Sequence, residues 1–167
     1  QQAFERLRSD HQPRSTIIAT GTGSGKTECF LYPLLDHCQR NPGPGIKAII
    51  IYPMNALATD QAKRFAKAVF ATPALKDRVR VGLFVGEGEQ SPHKSMSEQH
   101  VITDKDTLRD NPPDILLTNY KMLDYLLIRP KDRPLWQHNC PETLRYLVVD
   151  ELHTFDGAQG SDLAMLI

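Results

Sequence analysis

Thr20, Gly21, Thr22, Gly23, Ser24, Gly25, Lys26 and Thr27 follow the apolar run Ile17-Ile18-Ala19 and precede a helical pattern. A glycine-rich turn between a strand and a helix is the setting that phosphate binding requires. Glycine adopts the backbone angles of a tight curl, so successive N–H groups point inward at phosphate oxygens. The helix that follows adds the partial positive charge of its N-terminus. At this spacing Lys26 reaches the β- and γ-phosphates of a bound nucleotide, and the Thr27 hydroxyl helps to hold Mg²⁺. The strict pattern G-x-x-x-x-G-K-S/T asks for Gly where this chain has Thr20. A glycine-rich turn without nucleotide is therefore the competing reading of this stretch alone.

A second group answers the first. The apolar run LRYLVV (residues 144–149) delivers Asp150 and Glu151 to its carboxyl end, where open α/β sheets place their ligands. Asp150 suits Mg²⁺ held through water. Glu151 suits a group that orients or deprotonates an attacking water. Asp-Glu also ends strands that bind nothing, but the phosphate turn upstream makes the pair more than a strand terminus.

These groups need strands to carry them and helices to back the strands. Residues 15–20, 46–52, 79–85, 114–118 and 144–149 read as strands. The run IKAIIIY (residues 46–52) is almost continuously apolar and β-branched, as in a strand buried on both faces. Helical spacing marks residues 1–8, 25–38, 55–70, 119–128 and a segment from 157. Pro33 predicts a kink or an early end in the second of these. Residues 86–113 are polar and irregular, and a loop of that length is a variable surface insertion or a functional element. A short helical turn is expected at residues 107–110. Strands alternating with helices predict one α/β domain with a mainly parallel sheet and helices on both faces.

Bulk properties exclude several classes. Lys and Arg total 20 and so do Asp and Glu, so no global basic field advertises nucleic acid. Cys29, Cys38 and Cys140 are an odd set without C-x-x-C spacing, which argues against a disulfide framework or zinc site and for a reducing compartment. No apolar run approaches the ~18 residues of a membrane span, and no signal-peptide pattern is present. A cytoplasmic protein without a membrane partner is expected. Both ends fall inside helical patterns without caps, which reads as a piece of a longer protein.

In chain order, ATGTGSGKT, YPMNALATDQ, TNYKMLD and VVDELH resemble motifs I, Ia, Ib and II of superfamily 2 helicases of the DEAD/DEAH-box type. The T-N-x-x-M-L form and the glycine-containing segment Gly157-Ala158-Gln159-Gly160-Ser161 are most similar to bacterial YprA/MrfA-type DNA helicases. The resemblance implies a RecA-like P-loop NTPase fold, with residues 1–167 as the first of two RecA-like domains. It implies ATP and Mg²⁺ as cofactors, with Thr20 to Thr27 on the phosphates and Asp150 and Glu151 serving metal and water. His153 becomes the residue that couples nucleotide state to the rest of the machine; as a lone His it could equally be a core residue. Pro53 and Asn55, then Thr118 and Asn119, become contacts to phosphates of single-stranded nucleic acid, DNA in preference to RNA. Asn55, Thr118 and Asn119 are equally at home as helix caps. Tyr52 and Tyr120 read as packing residues.

Departures set further expectations. The glutamine motif H-Q-x-x-A would place only its alanine, Ala3, inside the chain. Motifs III to VI, with the arginine finger, belong beyond Ile167. Such fingers supply about 10³–10⁵ in rate, so this chain alone should bind ATP weakly and turn it over poorly. The competing functions are an RNA helicase, a double-stranded DNA translocase of a restriction or defence system, and a nucleotide-gated scaffold. A kinase or GTPase reading leaves TNYKML without a role.

Overall fold

The computed structural model describes residues 2–8, 14–19, 25–86 and 91–167. Four strands form one sheet among these residues: β1 (Ala48–Tyr52), β2 (Val81–Phe84), β3 (Ile115–Asn119) and β4 (Tyr146–Val149). Their order is β2-β3-β1-β4, and every neighbouring pair is parallel. β1 lies in the middle because it is apolar throughout: all five of its residues are buried. Parallel strands need crossovers, and the helices provide them.

Alternation along the strands feeds two cores. Ala48 and Ile50, with Ile115 and Leu117, pack against Phe30, Leu31 and Leu34 of α2 (Lys26–Arg40) and Ala62, Phe65 and Val69 of α3 (Asn55–Ala71). Ile49, Ile51 and Leu116 face the other way, towards Leu123 and Leu126 of α6 (Tyr120–Ile128) and Leu163 of α7 (Gly157–Leu166). Each fully buried side chain of this kind stabilises the fold by roughly 1.5–3 kcal/mol. Helices therefore cover both faces, as the sequence pattern predicts. Three short helices complete the set: α1 (Gln2–Leu7), α4 (Pro73–Lys76) and α5 (Lys105–Asp110).

Three expectations are corrected. The described residues of the expected strand 15–20 are not in a strand, and Ile17 is 84% exposed. Its three apolar residues offer little burial to offset the cost of ordering a strand. β4 is consequently an edge strand among the described residues, and Leu147 is 40% exposed. Pro33 does not end α2, which continues to Arg40; Pro33, Leu34, Leu35 and Cys38 are all buried, and this packing outweighs the missing N–H.

The third correction concerns residues 86–113. The described part is not a surface appendage. Val101, Ile102 and Leu108 are buried. Ile102 bridges Gly82 in parallel, donating to Val81 O at 3.1 Å and accepting from Leu83 N at 2.9 Å. It thus covers the outer edge of β2, which manages an open sheet edge. Gly82 permits this: a Cβ there would meet Leu108 Cδ2 at 2.4 Å. The expected helical turn is present as α5, capped by Asp104, which accepts from Thr107 N at 2.9 Å.

One buried histidine gives the fold an acid sensitivity. His37 of α2 is buried, packs edge-on to Tyr146 with ring centroids 5.2 Å apart, and its Nδ1 lies 3.1 Å from Asn41 Nδ2. Burial, helped by Arg145 and Lys47, holds its pKa below the ordinary value of 6.5. Above that value neither folded nor unfolded His37 is charged and it adds no pH dependence. As pH falls below it, the unfolded chain takes up the proton first, so stability declines until the folded pKa is reached. Urea unfolding of His37→Gln should show a shallower loss of stability below pH 6.5 than the parent chain; an identical slope would remove His37 from the account.

Candidate functional site

The carboxyl ends of all four strands open onto the same edge of the sheet, where Asp150, Glu151, Thr118 and Asn119 lie. β4 runs one residue past its last ladder position: Asp150 N donates to Ile51 O at 3.0 Å. That bond fixes Asp150 at the sheet edge. Glu151 then turns sharply, with φ 50° and ψ 43°, and is the non-glycine residue with positive φ among the described residues. A side chain held there costs about 1–3 kcal/mol, and such strain collects at functional sites. The turn lets Glu151 N donate to Asp150 Oδ1 at 2.9 Å. The two carboxylates therefore diverge from one backbone corner.

Burial pushes the Asp150 carboxyl above the usual carboxylate range. The Glu151 N–H, Lys26 and Arg64 pull it back, and the Glu151 charge adds to the rise. A half-buried carboxylate in this position is stabilised by any cation brought to it. Tyr52, fully buried at the end of β1, feels the same charge: burial and then Asp150 push its phenol up. Its hydroxyl has no hydrogen-bond partner among the described residues.

Of the predicted phosphate turn, Thr20, Gly21, Thr22, Gly23 and Ser24 lie outside the described residues. Gly25 caps α2 with φ 79° and ψ 28°, a left-handed conformation that glycine supplies without strain. Lys26 and Thr27 form the first turn of α2, where backbone N–H groups are free to meet an anion. The Thr27 hydroxyl accepts from Arg64 Nη1 at 3.2 Å, and Arg64 Nη2 also pairs with Glu28. Arg64 lies on α3, so α3 grips the start of α2.

Hard oxygen donors suit Mg²⁺. The Thr27 hydroxyl and the half-buried Asp150 carboxylate are such donors, and they fit that ion's chemistry. His153 is not a core residue: its side chain is 74% exposed, with Nδ1 3.3 Å from Glu151 Oε2.

The two asparagines separate the alternatives that the sequence left open. Asn119 does cap a helix: its Oδ1 accepts from Met122 N at 2.8 Å. Its Nδ2 donates to Asn55 Oδ1 at 2.7 Å. Asn55 is not a cap; it is the first residue of α3, after Met54. Thr118 is fully buried, and its hydroxyl donates to Phe84 O at 2.7 Å, tying β3 to β2. Its hydroxyl is thus committed to the sheet and not presented to solvent. Tyr120 is buried against Phe155, as expected of a packing residue. Pro53, Asn55 and Asn119 line a cleft of about 460 Å³ onto which α3 and α6 both open with their N-termini.

The family model of the DEAD/DEAH box helicases matches residues 1–167. The chain belongs to that family. Among curated relatives of this DEAD/DEAH box helicase chain, Druantia protein DruE of Escherichia coli (strain UMEA 4076-1) is 26% identical over 90% of this chain and 14% of its own length. ATP-dependent helicase HRQ1 of Saccharomyces cerevisiae is 28% identical over 96% of this chain and 13% of its own. The uncharacterized ATP-dependent helicase YprA of Bacillus subtilis is 27% identical over 92% and 18%. The chain thus spans between 13% and 18% of the length of these three proteins.

Sequence reasoning missed three residues at the candidate site of this DEAD/DEAH box helicase chain. Arg64 falls within a helical pattern, and nothing in its spacing announces a contact with Thr27. Gln159 and Tyr125 read as helix residues, yet both line the cleft.

Proposed function

We propose that this chain is the first RecA-like, ATP-binding lobe of a helicase that couples ATP hydrolysis to movement along single-stranded DNA. The observation that carries this reading is the shared sheet edge: Asp150 and Glu151 end β4, while Asn55 and Asn119 follow β1 and β3 and face one cleft. Nucleotide chemistry and polymer binding are then neighbours on one rigid scaffold. ATP phosphates lie on the Thr20–Thr27 turn and the start of α2, with Lys26 as their cation. Thr27 and Asp150 hold Mg²⁺, which neutralises phosphate charge when bound. Glu151 positions and deprotonates the attacking water. His153, exposed beside Glu151, reports its state to a second RecA-like lobe. That lobe supplies the arginine finger, worth about 10³–10⁵ in rate.

At the cleft, Pro53, Asn55 and Asn119 hold phosphates through the two helix starts, which position a strand without reading its bases. Thr118 acts by fixing the strand end from which Asn119 projects. DNA is favoured over RNA by the likeness to YprA/MrfA-type helicases.

Steady-state ATP hydrolysis by the full-length protein tests the reading, with single-stranded DNA, duplex DNA or single-stranded RNA added and Glu151→Gln as the blank. Stimulation by single-stranded DNA is expected. Stimulation mainly by duplex would make it a translocase, and mainly by RNA an RNA helicase. Bound nucleotide with no stimulation by any polymer would make it a nucleotide-gated scaffold.

A further inference from the structure

We propose that Tyr125 is a base-stacking platform in the cleft, so that this site holds a nucleobase as well as the phosphates that flank it. The inference rests on the nucleic-acid reading of the cleft and adds a contact that phosphate binding alone does not require.

Of the tyrosines near the strand ends, Tyr52 and Tyr120 are committed elsewhere. Tyr52 is fully buried under the sheet edge, and Tyr120 is buried edge-on against Phe155, with ring centroids 5.9 Å apart. Tyr125 lines the cleft and is 48% exposed. It stands a little more than one helical turn beyond Tyr120 on α6. Met54, 63% exposed at the turn into α3, also lines the cleft. An exposed aromatic and an exposed thioether in one cleft that Asn55, Asn119, Lys121 and Gln159 also line give an apolar seat bordered by hydrogen-bonding groups. A nucleobase has that character: a flat apolar face and a polar edge.

The Tyr125 ring is also preorganised. The Arg129 guanidinium lies over it, 4.5 Å from the ring centroid. Arg129 does not hang free. Its Nε lies 3.4 Å from Asp132 Oδ2, and its Nη2 is 3.3 Å from Met122 Sδ. Asp132 is itself fully buried and accepts from Arg109 Nε at 2.8 Å. The charge of a buried carboxylate thus draws the arginine in, and the arginine covers the ring from one side. The chain of contacts leaves little side-chain freedom to lose when a base stacks. Lys121, which also lines the cleft, complements a phosphate beside that base.

Stacking on an aromatic side chain tolerates any base, since every base has a π-face. The site therefore favours single strands, whose bases are free to leave the stack, over duplex, without choosing a sequence.

Fluorescence anisotropy with the full-length protein and a labelled oligo(dT) gives the test, comparing wild type, Tyr125→Phe and Tyr125→Ala. The alanine variant should bind about 5- to 150-fold more weakly, and the phenylalanine variant should bind as wild type. An oligonucleotide with abasic sites should lose affinity for wild type but lose little further on Tyr125→Ala. 2-Aminopurine placed in the bound strand should be quenched by wild type and Tyr125→Phe only. Equal affinities for all three proteins, with unchanged 2-aminopurine emission, would overturn the stacking role and leave the phosphate-binding cleft standing. Failure of wild type to bind any single strand would overturn the cleft reading itself.

Discussion

Glu151→Gln in the full-length protein lowers nucleic-acid-stimulated ATP turnover by about 10²–10⁴-fold, the contribution of a positioned general base, and leaves nucleotide affinity unchanged. The substitution is informative because it changes charge and little else. Gln has the same shape, so the left-handed backbone at Glu151 (φ 50°) is no more strained than before. The bond from residue 151 N to Asp150 Oδ1 is made by backbone and persists. Only the carboxylate that accepts a proton is lost. Single-turnover hydrolysis and equilibrium binding of a fluorescent ATP analogue separate the two effects. If binding and turnover fell together, Glu151 would be a structural part of the corner and not its base. If neither fell, proton transfer would have to be assigned to another group.

A second large effect is expected far from the chemistry, at the opposite end of the sheet. Lys47→Met should destabilise the chain by about 3–5 kcal/mol, the usual result of removing one partner from a buried ion pair. Lys47 precedes β1, and its side chain is only 6% exposed. Its ammonium donates to Gly43 O at 2.6 Å, to Asp114 Oδ1 at 2.6 Å and, more weakly, to Gly45 O at 3.4 Å. Those are all the donors an ammonium has. Asp114, 12% exposed, accepts on its other oxygen from Arg80 N at 2.7 Å. One pair thus fixes the entry of three neighbouring strands, β1, β3 and β2. Methionine fills the volume but strands the Asp114 charge. Urea unfolding measures the loss, and the double substitution Lys47→Met with Asp114→Asn should recover much of it, because no buried charge is then left alone. A single-mutant cost below about 1 kcal/mol, typical of an exposed pair, would show that water reaches the site.

The strands and helices were largely legible because their apolar periodicities are strong: IKAIIIY has no other comfortable home than the middle of a parallel sheet. Lys47 hides inside that same run, and no periodicity says that a lysine there is buried and paired with a residue far along the chain. The failures share a cause. Residues 15–19 and Pro33 were judged by local propensity, whereas the outcome was set by how much each segment could bury. Residues 91–113 looked polar on average, yet Ile102 and Leu108 decide where the segment lies. At the candidate site, Asp150, Glu151 and Asn119 could be placed because strand ends and helix caps are local features. Arg64 reaching Thr27, and Arg129 lying over Tyr125, depend on how separate elements pack, which residue type and spacing do not record.

The helix α3 has Asn55 at its first position and Arg64 further along, a rise of about 14 Å at 1.5 Å per residue. Asn55 is tied to Asn119, and Arg64 to Thr27. One uninterrupted rod therefore touches both candidate ligand regions, with no loop between them to absorb a displacement. The distance between the two grips is set by a count of residues, so α3 is a gauge of fixed length laid between the two candidate regions.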